Sequence, residues 1–172
     1  MTLGMSLLAF TQLHTVLSLI GIAAGLVVVA GMLGSSRLAG WTALFLMSTI
    51  LTSATGFLFP RDQVLPSHIV GVLSLVVLAI AVLALFVNRL ERKWRRIYVV
   101  TALVALYFNV FVAVVQAFQK VPFLNALAPT QSDPPFVIAQ LVVLVAFIAI
   151  GFAAVRAFHP PSLAPFVQGS RP

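Results

Sequence analysis

The sequence predicts an all-α integral membrane protein, a bundle of five transmembrane helices in one domain over residues 1–172. Of its 172 residues, 62% are hydrophobic and only 8% are charged, whereas soluble domains carry about a quarter charged residues. The hydrophobic residues form runs of roughly 20, the helix length that crosses a hydrocarbon core ~30 Å thick. The chain contains no cysteine, which excludes disulfides, thiolate metal sites and thiol redox chemistry.

Residues that end or begin helices set the limits of the predicted spans. Pro60 follows the second run, Pro66 opens the third, and Asp133 with Pro134 precedes the fifth. Aspartate is a preferred N-cap residue, and proline is well tolerated in the first helical turn. The spans are predicted to cover about residues 11–33, 38–59, 66–88, 97–119 and 136–158.

Basic residues predict the orientation of the chain. With five spans, most of them fall on one side, against Arg61 and Lys120 on the other. Cytoplasmic loops are enriched in Lys and Arg, so we expect the N-terminus outside and the C-terminus in the cytoplasm, with the protein multi-pass in the cell (inner) membrane. The loop 89–96 would set topology and contact membrane lipids, and the pI near 11.6 needs no nucleic-acid partner. Its basic residues are Arg89, Arg92, Lys93, Arg95 and Arg96.

The outer loop 120–135 is the only long connection between the predicted spans. It contains four prolines, which predict that it has no regular structure along its whole length. Its apolar residues would lie in the membrane interface or fold back over the bundle. Loops of this length are often lids or binding segments, and a plain tether is the alternative.

Two histidines are expected at the same depth, near the outer boundary. His14 lies about one turn inside the first span, on a stripe with Ser18, Gly21 and Gly25. Small residues mark helix contacts in membranes, so His14 should face other helices. His68 opens the third span, which runs in the same direction as the first.

Further polar residues gather at a similar level in the other spans: Thr52 in the second, Asn109 and Gln116 in the fourth, and Gln140 in the fifth. Unpaired amides in hydrocarbon cost several kcal/mol, so these side chains should face the bundle interior. The three acidic residues all lie in loops. No carboxylate is therefore placed for proton relay or paired-carboxylate catalysis, and we expect a non-enzymatic protein.

Three interpretations follow from this polar outer half. In the first, a cavity binds an apolar ligand (a lipid, a quinone or a similar molecule) or a partner. The residues expected to line it are His14, His68, Thr52, Asn109, Gln116 and Gln140. In the second, His14 and His68 are the axial ligands of a haem b in an electron-transfer protein, and Gly21 and Gly71 leave room for the macrocycle. In the third, the polar residues only join helices, and the protein is an accessory subunit of a membrane protein partner. The sequence favours the first.

Overall fold

The computed structural model describes residues 4–59 and 66–160, and all regular structure in these ranges is helical. The helices are α1 Leu7–Leu33, α2 Ala39–Gly56, α3 Pro66–Val82, α4 Lys93–Lys120, α5 Pro122–Leu127 and α6 Pro134–Ala157. One π-helical turn, Leu83–Val87, continues α3.

Four helices in the described ranges are long and apolar enough to cross a membrane: α1, α3 with its π-helical turn, α4 and α6. The prediction of an all-helical, membrane-type bundle is therefore confirmed. The remaining long helix, α2, has 18 residues and occupies the predicted second span. It is less apolar because it carries six hydroxyl side chains: Thr42, Ser48, Thr49, Thr52, Ser53 and Thr55.

Helix ends differ from the predicted limits where polar residues extend a helix. α1 begins at Leu7, because Ser6 caps it by accepting a hydrogen bond from the Ala9 N–H at 3.3 Å. α4 begins at Lys93, four residues before its predicted start. Only the first half of the stretch 89–96, a turn with positive φ at Arg89, Leu90 and Arg92, therefore lies outside a helix. Long basic side chains are good helix formers, which explains this extension.

The outer loop 120–135 was wrongly predicted to lack regular structure throughout. It contains the six-residue helix α5, with Pro122 in the first turn, where the missing N–H has no intrahelical partner to lose. Asp133 is the N-cap residue of α6 as predicted, but its carboxylate does not bond to that helix. It accepts hydrogen bonds from the Thr130 N–H and hydroxyl at 2.7 and 2.9 Å.

α1 and α2 form an antiparallel pair in contact over nearly their whole length. The rings of Phe10 and Phe59 lie 4.8 Å apart at one end, and Gly31 approaches Leu38 at the other. α3 packs between α2 and α4, and α4 returns to contact α1, so α1–α4 close into a ring. α6 packs outside this ring against α4 and α1, with most of its surface exposed.

The interior of the ring has an apolar half and a polar half. Large apolar side chains fill the half near the end where Arg37 and Arg95 lie, which we call the basic end; they include Val28, Met32 and Phe45. The half nearer the opposite end, which we call the His14 end, holds most of the buried polar side chains: Ser48, Thr49, Ser74 and Asn109. Thr42 is an exception, since it lies near the basic end of α2. The polar groups are thus concentrated at one end of the bundle.

Candidate functional site

A cavity of about 110 Å³ lies at the His14 end, lined by α1–α4 and by Phe57, which follows α2. Each helix of the ring contributes polar side chains to its wall, and apolar groups such as Phe108 and Val112 complete it. The polar lining residues are His14 and Ser18 from α1, Thr49, Thr52 and Ser53 from α2, His68 and Ser74 from α3, and Asn109 from α4.

The orientation of His14 is fixed by Thr55. Its Nδ1 lies 2.9 Å from the Thr55 hydroxyl oxygen. That hydroxyl is 2.7 Å from the Leu51 carbonyl oxygen, to which it donates its single proton. The Thr55 oxygen therefore accepts from Nδ1–H, and in the neutral ring Nε2 carries the free lone pair.

His68 is held by aromatic packing on the opposite wall. Its ring centroid lies 5.7 Å from that of Phe57. The same phenyl ring lies 3.0 Å from the position that a Cβ would take at Gly71, one turn along α3. The absence of a side chain at Gly71 thus allows Phe57 to close the cavity between α2 and α3.

Besides His14 and Thr55, two pairs of residues form hydrogen bonds between helices in the cavity wall. The Ser18 hydroxyl donates to Asn109 Oδ1 at 2.7 Å, and Asn109 Nδ2 donates to the Ser18 carbonyl oxygen at 3.5 Å. The Ser53 hydroxyl donates to that of Ser74 at 3.0 Å. The Ser18–Asn109 pair links α1 to α4, and the Ser53–Ser74 pair links α2 to α3. Both pairs therefore connect neighbouring helices of the ring.

Two hydroxyls in the wall have no hydrogen-bond partner in the structure, although both oxygens are fully buried. They belong to Thr49, whose side chain is 1% exposed, and to Thr52. Neighbouring hydroxyls of α2 behave differently, since Ser48 donates to the Leu44 carbonyl oxygen at 2.6 Å. An unsatisfied buried hydroxyl costs roughly 1–3 kcal/mol, so the cavity presents two donors that lack an acceptor.

The structure brings together four of the six residues expected to bind a ligand: His14, His68, Thr52 and Asn109. Gln116 is exposed on α4 and does not line the cavity. Gln140 lies at the contact of α6 with α4, where its Nε2 donates to the Phe111 carbonyl oxygen at 3.2 Å. The two outer amides are therefore separate from the site.

Sequence reasoning missed Ser74 as a lining residue. It is one turn beyond Gly71 on α3 and is 4% exposed. The available signal was a lone hydroxyl in an otherwise apolar run, three residues after a glycine. At that spacing the two residues share a helix face.

Most of the described basic side chains lie at the opposite end, where two of them bind main-chain carbonyls, whereas Lys120 ends α4 at the His14 end. Arg37 donates to the Arg89 carbonyl oxygen at 3.5 Å, and Arg95 donates to that of Phe158. The His159 N–H donates to the Ser35 hydroxyl at 2.8 Å. These contacts join the α1–α2 loop to the turn before α4 and to the end of α6, all at the basic end and away from the cavity.

A haem between His14 and His68 does not fit the described arrangement. The cavity measures about 110 Å³, whereas sites for drug-sized ligands, which are no larger than a haem, measure about 300–1,000 Å³. The space at Gly21 is taken by polar side chains of α2 and α4, and the space at Gly71 by Phe57.

No protein-family model, curated protein or solved structure matches this chain. The cavity is therefore the feature of the structure that bears on function. Among the described residues, its polar wall holds imidazole, amide and hydroxyl groups and no carboxylate, lysine or arginine side chain. These groups can form hydrogen bonds with an uncharged polar group.

Proposed function

We propose that this is a polytopic membrane protein that binds the uncharged polar head group of an apolar small molecule, of lipid or quinone type, in the cavity at the His14 end. The observation that carries the proposal is the pair of buried hydroxyls without partners, Thr49 and Thr52. Buried polar groups in native structures are normally hydrogen-bonded. A ligand with hydrogen-bonding oxygens would supply the missing partners.

The cavity volume limits what can enter. About 110 Å³ holds a single ring or a few heavy atoms, or three to four water molecules at about 30 Å³ each. Only the head group of a lipid-like molecule would therefore be enclosed. Its apolar remainder would lie along the exposed apolar helix surfaces, as expected for a ligand that enters from the membrane.

Five spans, with the His14 end outside, are part of this proposal. α2 runs beside α1 from Phe59 to Leu38, and its 18 residues measure about 27 Å, close to the ~30 Å of a hydrocarbon core. Several of its hydroxyl side chains are buried within the bundle and do not meet lipid. The basic end would then lie in the cytoplasm, which is the usual location of positively charged loops.

The topology can be tested with single cysteines, since the natural chain has none. Gly4→Cys and Glu91→Cys place cysteines on opposite sides of the membrane if α2 crosses it. A membrane-impermeant maleimide should then label Gly4→Cys in intact cells and Glu91→Cys only after permeabilisation. If α2 does not cross, the two positions lie on the same side and label alike. Gln131→Cys, exposed between α5 and α6, should label together with Gly4→Cys.

Ligand binding can be tested without knowing the ligand. The wild-type protein and the Thr49→Val/Thr52→Val variant are purified in parallel, and their organic extracts are compared by mass spectrometry. Threonine and valine have nearly the same shape, so the variant removes only the two unpaired hydroxyls. Thr101→Val is the matched control, because the Thr101 hydroxyl donates to the Ile97 carbonyl oxygen of its own helix at 2.8 Å.

A small molecule retained in stoichiometric amount by wild type and Thr101→Val, and depleted in the double variant, is the expected result. Identical extracts from all three proteins would contradict the proposal. In that case the cavity holds only water, and the polar residues join helices, as in an accessory subunit. A stoichiometric protein partner that co-purifies would then identify that role.

A further inference from the structure

We infer that the head group bound in the cavity carries a hydroxyl, as in an alcohol, a phenol or a quinol, which donates to His14 Nε2 and accepts from the Thr52 hydroxyl. This inference rests on the proposed function and names the chemical class of its ligand. It follows from which hydrogen-bonding groups of the wall are already paired and which are not.

The acceptor in the wall is a ring nitrogen of His14. The Nδ1–H of His14 is turned towards α2, where it bonds to Thr55 at 2.9 Å. The Thr55 proton is occupied by the Leu51 carbonyl oxygen, so the roles in this bond cannot reverse without breaking a 2.7 Å bond. Nε2 is therefore an acceptor, and it needs a donor.

The donors in the wall lie on the same helix as Thr55. Thr49, Thr52 and Thr55 follow one another at intervals of three residues and share a face of α2. We call these three residues the hydroxyl row. Thr55 bonds to His14, whereas Thr52, one turn deeper, and Thr49, two turns deeper, have no partner.

Two other acceptors in the wall already have a hydrogen-bond donor from the protein. Asn109 Oδ1 accepts from Ser18 at 2.7 Å, and the Ser74 hydroxyl oxygen accepts from Ser53 at 3.0 Å. Among the described polar residues of the wall other than His68, the groups that have no hydrogen-bond partner at all are His14 Nε2 and the hydroxyls of Thr49 and Thr52. A ligand hydroxyl matches this set because its proton can go to Nε2 while its lone pairs accept from Thr52.

A ligand with only carbonyl or ether oxygens matches the set less well. Such an oxygen can accept from Thr52, but it places a lone pair opposite the lone pair of His14 Nε2. The bound ligand would then leave that nitrogen without a donor. We expect this difference to favour a donor-bearing ligand by roughly tenfold in affinity. The cavity therefore discriminates a quinol from a quinone, or an alcohol from a ketone.

The test compares 4-methylphenol with anisole, isomers of the same molecular formula of which only the first has an O–H group. The full-length protein is placed in lipid nanodiscs with ¹⁵N-labelled histidine, and ligand concentrations are corrected for partition into empty nanodiscs. The chain has three histidines: His14 and His68 line the cavity, and His159 at the basic end is an internal control.

We expect 4-methylphenol to shift the His14 Nε2 resonance in a saturable manner, about tenfold more tightly than anisole, with His159 unchanged. Equal affinities for the two isomers would overturn the inference and leave the proposed function standing. If neither compound shifts His14 or His68, the inference is also overturned, and the organic-extract experiment decides the proposed function independently.

Two variants separate the role of His14 from a merely structural one. His14→Gln keeps an acceptor oxygen at this position and should retain the preference for 4-methylphenol, read from the His68 resonance. His14→Phe removes the acceptor and should make the two isomers bind equally. A preference that persists in His14→Phe would contradict the assignment of Nε2 as the ligand's acceptor.

Discussion

The hydrogen bond between Ser18 and Asn109 allows a quantitative test of the contact between α1 and α4. In a double-mutant cycle of Ser18→Ala and Asn109→Ala, only the bond from the Ser18 hydroxyl to Asn109 Oδ1 is common to both positions. The second bond uses the Ser18 main-chain oxygen, which remains in Ser18→Ala. The coupling free energy therefore reports one side-chain contact.

The structure places this coupling in the upper part of the known range. Side-chain hydrogen bonds between transmembrane helices average about 0.6 kcal/mol and reach about 1.7. The Ser18–Asn109 bond is short, at 2.7 Å, and Asn109 is only 7% exposed. We expect a coupling of about 1–1.5 kcal/mol, equivalent to a Tm difference of about 2–6 °C for a chain of this size.

The assay is reversible unfolding in mixed micelles with increasing SDS, applied to wild type, the two single variants and the double variant. Thr101 provides the control cycle, because it lies eight residues, or about 12 Å, from Asn109 along α4 and bonds within its own helix. Ser18→Ala and Thr101→Val should be additive within about 0.3–0.5 kcal/mol. A Ser18–Asn109 coupling no larger than this control would refute the described contact between α1 and α4.

Three further predictions concern packing, the outer loop and the haem. Gly25→Ala should be about 1–3 kcal/mol less stable than Gly40→Ala in the same assay. A Cβ at Gly25 would lie 2.5 Å from a methyl carbon of Leu106, whereas a Cβ at Gly40 would have nothing within 4 Å. Equal stabilities of the two variants would contradict the close packing of the helices at Gly25. Asp133→Ala should speed hydrogen exchange of the Thr130 amide about tenfold while amides inside α6 keep their rates, and an unchanged Thr130 rate would show that this bond does not form. Protein purified from haem-replete cells should show no Soret band, since the cavity is several-fold too small; a Soret band lost on replacing the cavity histidines would overturn that reasoning.

Much of the fold follows from local features of the sequence. Apolar runs and the residues that interrupt them predict the long helices, and Pro134 marks the start of α6. Errors occur where a polar residue supports a helix end, as Ser6 does for α1 and Lys93 for α4. α5 was missed because proline excludes a helix interior but suits a first turn.

The site is less predictable, because the burial of a polar side chain depends on which residues of a neighbouring helix lie opposite it. Asn109 and Gln116 lie two turns apart on one face of α4, and the sequence treats them alike. Asn109 is buried because Ser18 and Gly21 of α1 lie opposite, with the Asn109 amide nitrogen only 3.0 Å from the Cβ position at Gly21. Gln116 has no such neighbour and is exposed. The unpaired state of the Thr49 hydroxyl is likewise a property of the assembled bundle.

The position of α6 outside the ring has a consequence for biosynthesis. Every described residue that lines the cavity precedes Lys120, the last residue of α4. A chain made from its N-terminus therefore has all the parts of the cavity before α6 leaves the ribosome. α6 then adds to a finished wall through contacts such as the bond from Gln140 to the Phe111 carbonyl oxygen. Its sequence is free to adapt to the surrounding lipid while the chemistry of the cavity stays the same.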